Sequence, residues 1–139
     1  MNSACPIGDP ASKRLTILVV EDQILARMAL ADELRRHGFN VAEAKNADEA
    51  LSIFHSGFAV QLAIIDLDTP RFQESVHLAA TIRAEYPAVK LLAASGQGSQ
   101  DVLREQGSQD DLRETVDAFF SKPYDLEQLI AMIESLLEQ

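Results

Sequence analysis

The sequence predicts an α/β fold, a parallel sheet covered by helices on both faces. Five short apolar runs, each three to six residues long, recur along 139 residues. Stretches with apolar residues at helical spacing separate them. Helix-start and helix-stop residues such as Asn46, Asp125 and Gly38 punctuate the change from one pattern to the other. The length fits one domain, expected over residues 15–139, after a loose arm over residues 1–14 that carries Pro6, Gly8 and Pro10.

Leu15 to Val20 is rich in β-branched residues and reads as a strand buried on both faces. Gln23 to His37 is helical, with Ile24, Met28, Leu30, Ala31 and Leu34 on its apolar side and Gly38 as its stop. Val41 to Ala44 is a weaker second strand. Asn46, with Glu49 three residues on, forms a capping box for a helix to His55. Val60 to Ile65 is the third strand. Ser75 to Glu85 is a helix that must end before Pro87. Val89 to Ala93 and Ala118 to Phe120 are the last two strands. Asp125 caps the final helix with Gln128 at the capping-box position, and Leu126, Leu129, Ile130, Ile133 and Leu137 keep its helical period.

Composition excludes several classes of function. The formal net charge of −10 argues against a nucleic-acid surface and fits cation binding, basic partners or plain solubility. Cys5 is the single cysteine, so no internal disulfide exists. No apolar run approaches the roughly 20 residues of a membrane-spanning helix, and a cytoplasmic location is the default expectation. His37, His55 and His77 share no metal-ligand spacing and are expected on the surface.

In an open parallel sheet the functional crevice lies outside the carboxyl ends of the strands. The residues there are Glu21 and Asp22 after the first strand, Asp66 after the third, Ser95 after the fourth, and Lys122-Pro123 after the fifth. Each is bland alone, but their convergence at one edge is chemically specific. Two carboxylates about 4 Å apart repel by about 4 kcal/mol at an effective dielectric near 20. Such a cluster calls for a cation, a raised pKa, or both. A hard divalent ion with oxygen ligands, Mg²⁺, fits. A carboxylate on Mg²⁺ beside a lysine and a hydroxyl suits phosphoryl transfer, with the central Asp66 as nucleophile. Gly96-Gln97-Gly98 lacks the Gly-Lys-Ser/Thr of a nucleotide-binding loop, so the phosphoryl donor must come from elsewhere.

From Leu15 to Leu137 the chain resembles the receiver domain of two-component response regulators. The motifs that carry the resemblance are Val19-Val20-Glu21-Asp22, Ile65-Asp66-Leu67-Asp68-Thr69-Pro70, Ala94-Ser95-Gly96 and Phe119-Phe120-Ser121-Lys122-Pro123-Tyr124. The resemblance implies a flavodoxin-like doubly wound (βα)5 fold with strand order 2-1-3-4-5. It implies that Asp66 takes a phosphoryl group from a histidine kinase or a histidine phosphotransfer protein. It implies Mg²⁺ held by Asp22, Asp66 and the backbone carbonyl of Asp68, with Glu21 assisting. Ser95 and Lys122 would bind phosphoryl oxygens, Phe119 would occupy the aromatic switch position, and the Lys122-Pro123 bond would be cis. A stand-alone receiver is then expected, a monomer or weak homodimer, signalling to a downstream protein without enzymatic turnover beyond hydrolysis of its own aspartyl phosphate.

Several positions depart from that pattern. Thr69 stands where many relatives have methionine, and Glu74 where a glycine often closes the loop. Val116-Asp117 replaces a Gly-Ala step. Gly98 to Glu105 is nearly repeated as Gly107 to Glu114, nine residues on, which is two and a half helical turns. Two short helical pieces or a distorted fourth helix are expected there. Two other readings stay open: an interaction module independent of phosphorylation, and a hydrolase, because Asp66-Leu67-Asp68 also resembles the Asp-x-Asp start of haloacid dehalogenase-type phosphatases.

Overall fold

The computed structural model describes residues 14–96, 101 and 109–138. Five strands form one parallel sheet: β1 (Thr16–Val20), β2 (Asn40–Ala44), β3 (Leu62–Asp66), β4 (Lys90–Ser95) and β5 (Ala118–Ser121). Their order is β2-β1-β3-β4-β5, as expected. The described helices are α1 (Ile24–Arg36), α2 (Ala47–His55), α3 (Phe72–Glu85), α4 (Gln109–Thr115) and α5 (Leu126–Leu137). The expected N-terminal arm, save Arg14, and the first of the two expected pieces in the duplicated segment, save Asp101, lie outside the described residues. The second piece is the short helix α4.

The two-residue period of the strands divides the core. Leu18, Val20, Ala63, Ile65, Leu91 and Ala93 face Phe54, Leu78, Ile82 and Leu112 from α2, α3 and α4. Ile17, Val19, Leu62, Ile64, Leu92 and Phe120 face Leu34, Leu129, Ile130, Ile133 and Leu136 from α1 and α5. Strands buried on both faces therefore read as continuous apolar runs. At the end of α1, Gly38 adopts a φ of +92° that a side chain would resist, and its N–H bonds to the Arg35 carbonyl. Asn46 Oδ1 accepts from Glu49 N–H at 2.9 Å, and Glu49 reaches back to Lys45 N–H at 2.8 Å.

Three expectations need correction. Ile24 and Met28 do not lie on the buried side of α1: they are exposed, as is Leu25, while Ala31 and Leu34 are fully buried. The helix is apolar over most of its circumference, so periodicity alone does not say which stripe meets the sheet. Asp125 caps α5 through Glu127 N–H rather than that of Gln128. Helix α3 begins at Phe72, three residues earlier than expected, because Glu74 lies in its first turn, where an acidic side chain favours the helix dipole.

Candidate functional site

Each carboxyl edge residue is delivered by its strand. Asp66 ends β3, the middle strand, and is 7% exposed. Next to it, β1 runs out into Glu21 and Asp22. Glu21 N–H bonds to the Ala44 carbonyl at 3.0 Å, which continues the sheet pairing by one residue. Carboxylate oxygens of Glu21, Asp22 and Asp66 all lie within 4.8 Å of one another. On the other side β4 ends in Ser95, fully buried, one register position beyond the Ala94 that pairs with Asp66. Lys122 follows β5, its N–H bonded to the Ser95 carbonyl at 2.9 Å. The Lys122-Pro123 bond is cis.

The lysine closes the cluster. Lys122 Nζ stands 2.6 Å from Asp66 Oδ1 and 3.3 Å from Asp68 Oδ2. Asp66 Oδ1 also accepts the Asp68 N–H at 3.1 Å. Asp68 Oδ1 in turn accepts the Gly96 N–H at 3.0 Å. Burial lowers the Lys122 ammonium, but its hydrogen bond to Asp66 and the charges of Asp66 and Asp68 outweigh this and raise it above its ordinary value. Burial pushes the Glu21 carboxyl up to about 7. The Gln23 N–H opposes that rise, whereas the charge of Asp66 and contacts with Asp66 and Asp22 add to it. Three oxygen donors without thiolate or imidazole suit a hard cation, which would offset both the burial of Glu21 and its smaller repulsion from Asp66.

A cleft of about 220 Å³ opens over the acidic residues, lined also by Lys45, Asn46, Thr69, Arg71 and Ser75. That is smaller than the roughly 300–1,000 Å³ of a typical small-molecule pocket. A cleft of that size suits a small group or a hydrated ion.

Three contributors make contacts that no local sequence pattern shows. Arg27 Nη1 donates to the Glu21 carbonyl at 3.0 Å, and its Nε meets Glu43 at 3.3 Å, which fixes the turn after β1. Thr69, the departure from methionine, donates its hydroxyl to Asp22 Oδ2 at 3.4 Å and accepts the Arg71 N–H. Arg83 donates to the Thr115 carbonyl at 2.8 Å and to Asp117 Oδ2 at 2.7 Å. The same Asp117 oxygen accepts the Leu91 N–H at 2.7 Å. Asp117 thus joins α3, β4 and the turn before β5, at the place where Val116-Asp117 departs from the Gly-Ala step of the family pattern. Phe119 is partly buried, and the Arg113 guanidinium carbon lies 5.6 Å from its ring centroid. His37, His55 and His77 are exposed, as expected.

Known proteins agree with this architecture. The chain is 31% identical over 121 residues to the transcriptional regulatory protein PdtaR of Mycobacterium tuberculosis, covering 85% of this chain and 54% of that one. The chain spans from 13% to 54% of the length of the curated relatives it matches. A response regulator receiver protein from Pseudomonas putida superposes with a TM-score of 0.75 at 31% identity, covering 90% of this chain and 99% of that one. The response regulator TrrA of Thermotoga maritima, solved in complex with Mg²⁺ and BeF, superposes with a TM-score of 0.72 at 25% identity over 88% and 98% of the two chains. Among the described residues no helix is long and apolar enough to cross a membrane. The family described as the response regulator receiver domain matches residues 17–134. The chain belongs to that family, the receiver domains of two-component signalling systems.

Proposed function

We propose that Asp66 is the phosphoacceptor of this receiver, taking its phosphoryl group from a phosphohistidine of a histidine kinase or a phosphotransfer protein. The contact of Lys122 Nζ with Asp66 Oδ1, at 2.6 Å beside two further carboxylates, is the observation that carries this reading. An Asp66 oxygen attacks phosphorus, the N–P bond of the donor breaks, and an O–P bond forms. Lys122 holds the nucleophile in place and stands ready to neutralise the transferred oxygens. Ser95, buried at the end of β4, supplies a hydroxyl to the same edge. Glu21, Asp22, Asp66 and the Asp68 carbonyl would hold Mg²⁺, in keeping with the Mg²⁺ and BeF complex of TrrA. When bound, that ion supplies charge neutralisation both to the carboxylates and to the phosphoryl oxygens.

The donor needs a surface beside the site. Ile24, Leu25 and Met28 expose apolar side chains on α1, which begins three residues after Glu21. They offer a protein donor a dry contact next to the acidic edge. The signal then leaves by protein–protein contact. The direct test is incubation with a small phosphodonor and Mg²⁺. The wild type gains one phosphoryl mass and Asp66→Asn gains none; equal labelling of both would overturn the assignment.

A further inference from the structure

The Asp68 side chain is not needed for the phosphoacceptor chemistry, since only its backbone carbonyl is assigned to the metal, yet it is firmly held. Its two oxygens reach donors that lie just past two different strands. Oδ1 accepts the Gly96 N–H at 3.0 Å, just past β4, and Oδ2 meets Lys122 Nζ at 3.3 Å, just past β5. The backbone N–H of the same residue is bonded to Asp66 Oδ1. One carboxylate therefore ties together the ends of β3, β4 and β5. The approach to Gly96 is close enough to depend on that residue: a Cβ there would stand 3.0 Å from Asp68 Oδ2, tighter than ordinary contact.

An anion held by a backbone N–H and an ammonium is bound as a phosphoryl oxygen would be. Lys122 is shared between Asp66 and Asp68, so a group carrying about −1.5 to −2 charge on Asp66 competes for it directly. We propose that the Asp68 carboxylate is a built-in stand-in for the phosphoryl group, holding Gly96 N–H and Lys122 until a phosphoryl group on Asp66 displaces it. This rests on the phosphoacceptor reading and adds to it a competitor within the chain. Asp68 has somewhere to go, since its side chain is about a third exposed. Its departure passes the Gly96 N–H and Lys122 from the Asp68 carboxylate to the phosphoryl group on Asp66. Arrival of the phosphoryl group is thereby converted into release of the Asp68 side chain from the ends of β4 and β5.

The test uses the whole chain with beryllofluoride and Mg²⁺ as the phosphoryl probe, comparing wild type with Asp68→Ala by titration and by the Gly96 amide resonance. Asp68→Ala is expected to bind the probe about fivefold more tightly or better, the lower range of ordinary site coupling. In the free variant the Gly96 amide proton loses its hydrogen-bonded shift, and the probe restores it. In the wild type the amide stays bonded throughout, while the Asp68 carboxyl resonance moves on binding. Unchanged or weaker affinity in Asp68→Ala, or a Gly96 amide identical in the two free proteins, overturns the stand-in. A wild type that binds no probe, with Asp66→Asn indistinguishable from it, overturns the phosphoacceptor reading as well, so the two failures are distinct.

Discussion

At the scale of single residues, the site is a balance of four carboxylates against one lysine, and Glu21 shows the cost. Its carboxyl is raised from an ordinary 4.5 to about 7, so between those values the folded chain holds a proton that the unfolded chain releases. The stability contributed by Glu21 is complete below about 4.5 and is lost as pH rises through 7. In chelator, the thermal midpoint of wild type is therefore expected to fall relative to that of Glu21→Gln across this window. Saturating Mg²⁺ is expected to shrink the difference, because the ion replaces the proton as counter-charge. Parallel pH profiles for the two proteins would refute this account of Glu21. Thr69 belongs to the same scale: its hydroxyl bond to Asp22, exposed and 3.4 Å long, orients a carboxylate rather than adding stability.

At the scale of elements, the sheet edge was legible and its buttressing was not. Glu21, Asp22, Asp66, Ser95 and Lys122 each follow or end an apolar run, and the parallel fold carries them to one edge with no further information. Arg83 and Asp117 are 34 positions apart, and no local pattern links them. The same holds for Asp68 and Gly96, 28 apart. On α1 the sequence shows that apolar residues recur, but contact with β1 and β2 selects Ala31 and Leu34 and leaves Ile24, Leu25 and Met28 outside. Two predictions belong here. Arg83→Ala is expected to destabilise the fold by about 2 kcal/mol in denaturant unfolding, because it removes the charged donor that joins the Thr115 carbonyl and Asp117 to α3. A loss below about 0.5 kcal/mol would mark the pair as an ordinary surface bridge. Met28→Lys with Ile24→Lys is expected to slow phosphorylation by a phosphohistidine protein at least about tenfold, the effect of roughly 1.4 kcal/mol. Labelling by a small phosphodonor is expected to stay the same. Equal slowing with both donors would place the defect in the site instead of in docking.

At the scale of the whole molecule, one parallel sheet presents a reactive edge and two differently covered faces. One face carries α2, α3 and α4, and the other carries α1 and α5. In the proposed scheme, chemistry at Asp66 is felt at the ends of β4 and β5 through Gly96 and Lys122, and a protein donor docks beside the second face at α1. Phosphorylation shifts such a molecule only by interactions that differ between its two states. Lys122 is the group best placed to make that difference, since it bonds Asp66 and Asp68 together. The most direct measurement is the intact mass of the chain after exposure to a small phosphodonor, with Mg²⁺ and with chelator, for wild type and Asp66→Asn. The account predicts a single phosphoryl adduct on the wild type that requires Mg²⁺ and is lost in Asp66→Asn. An adduct that survives the substitution, or none on the wild type with Mg²⁺ present, would contradict it.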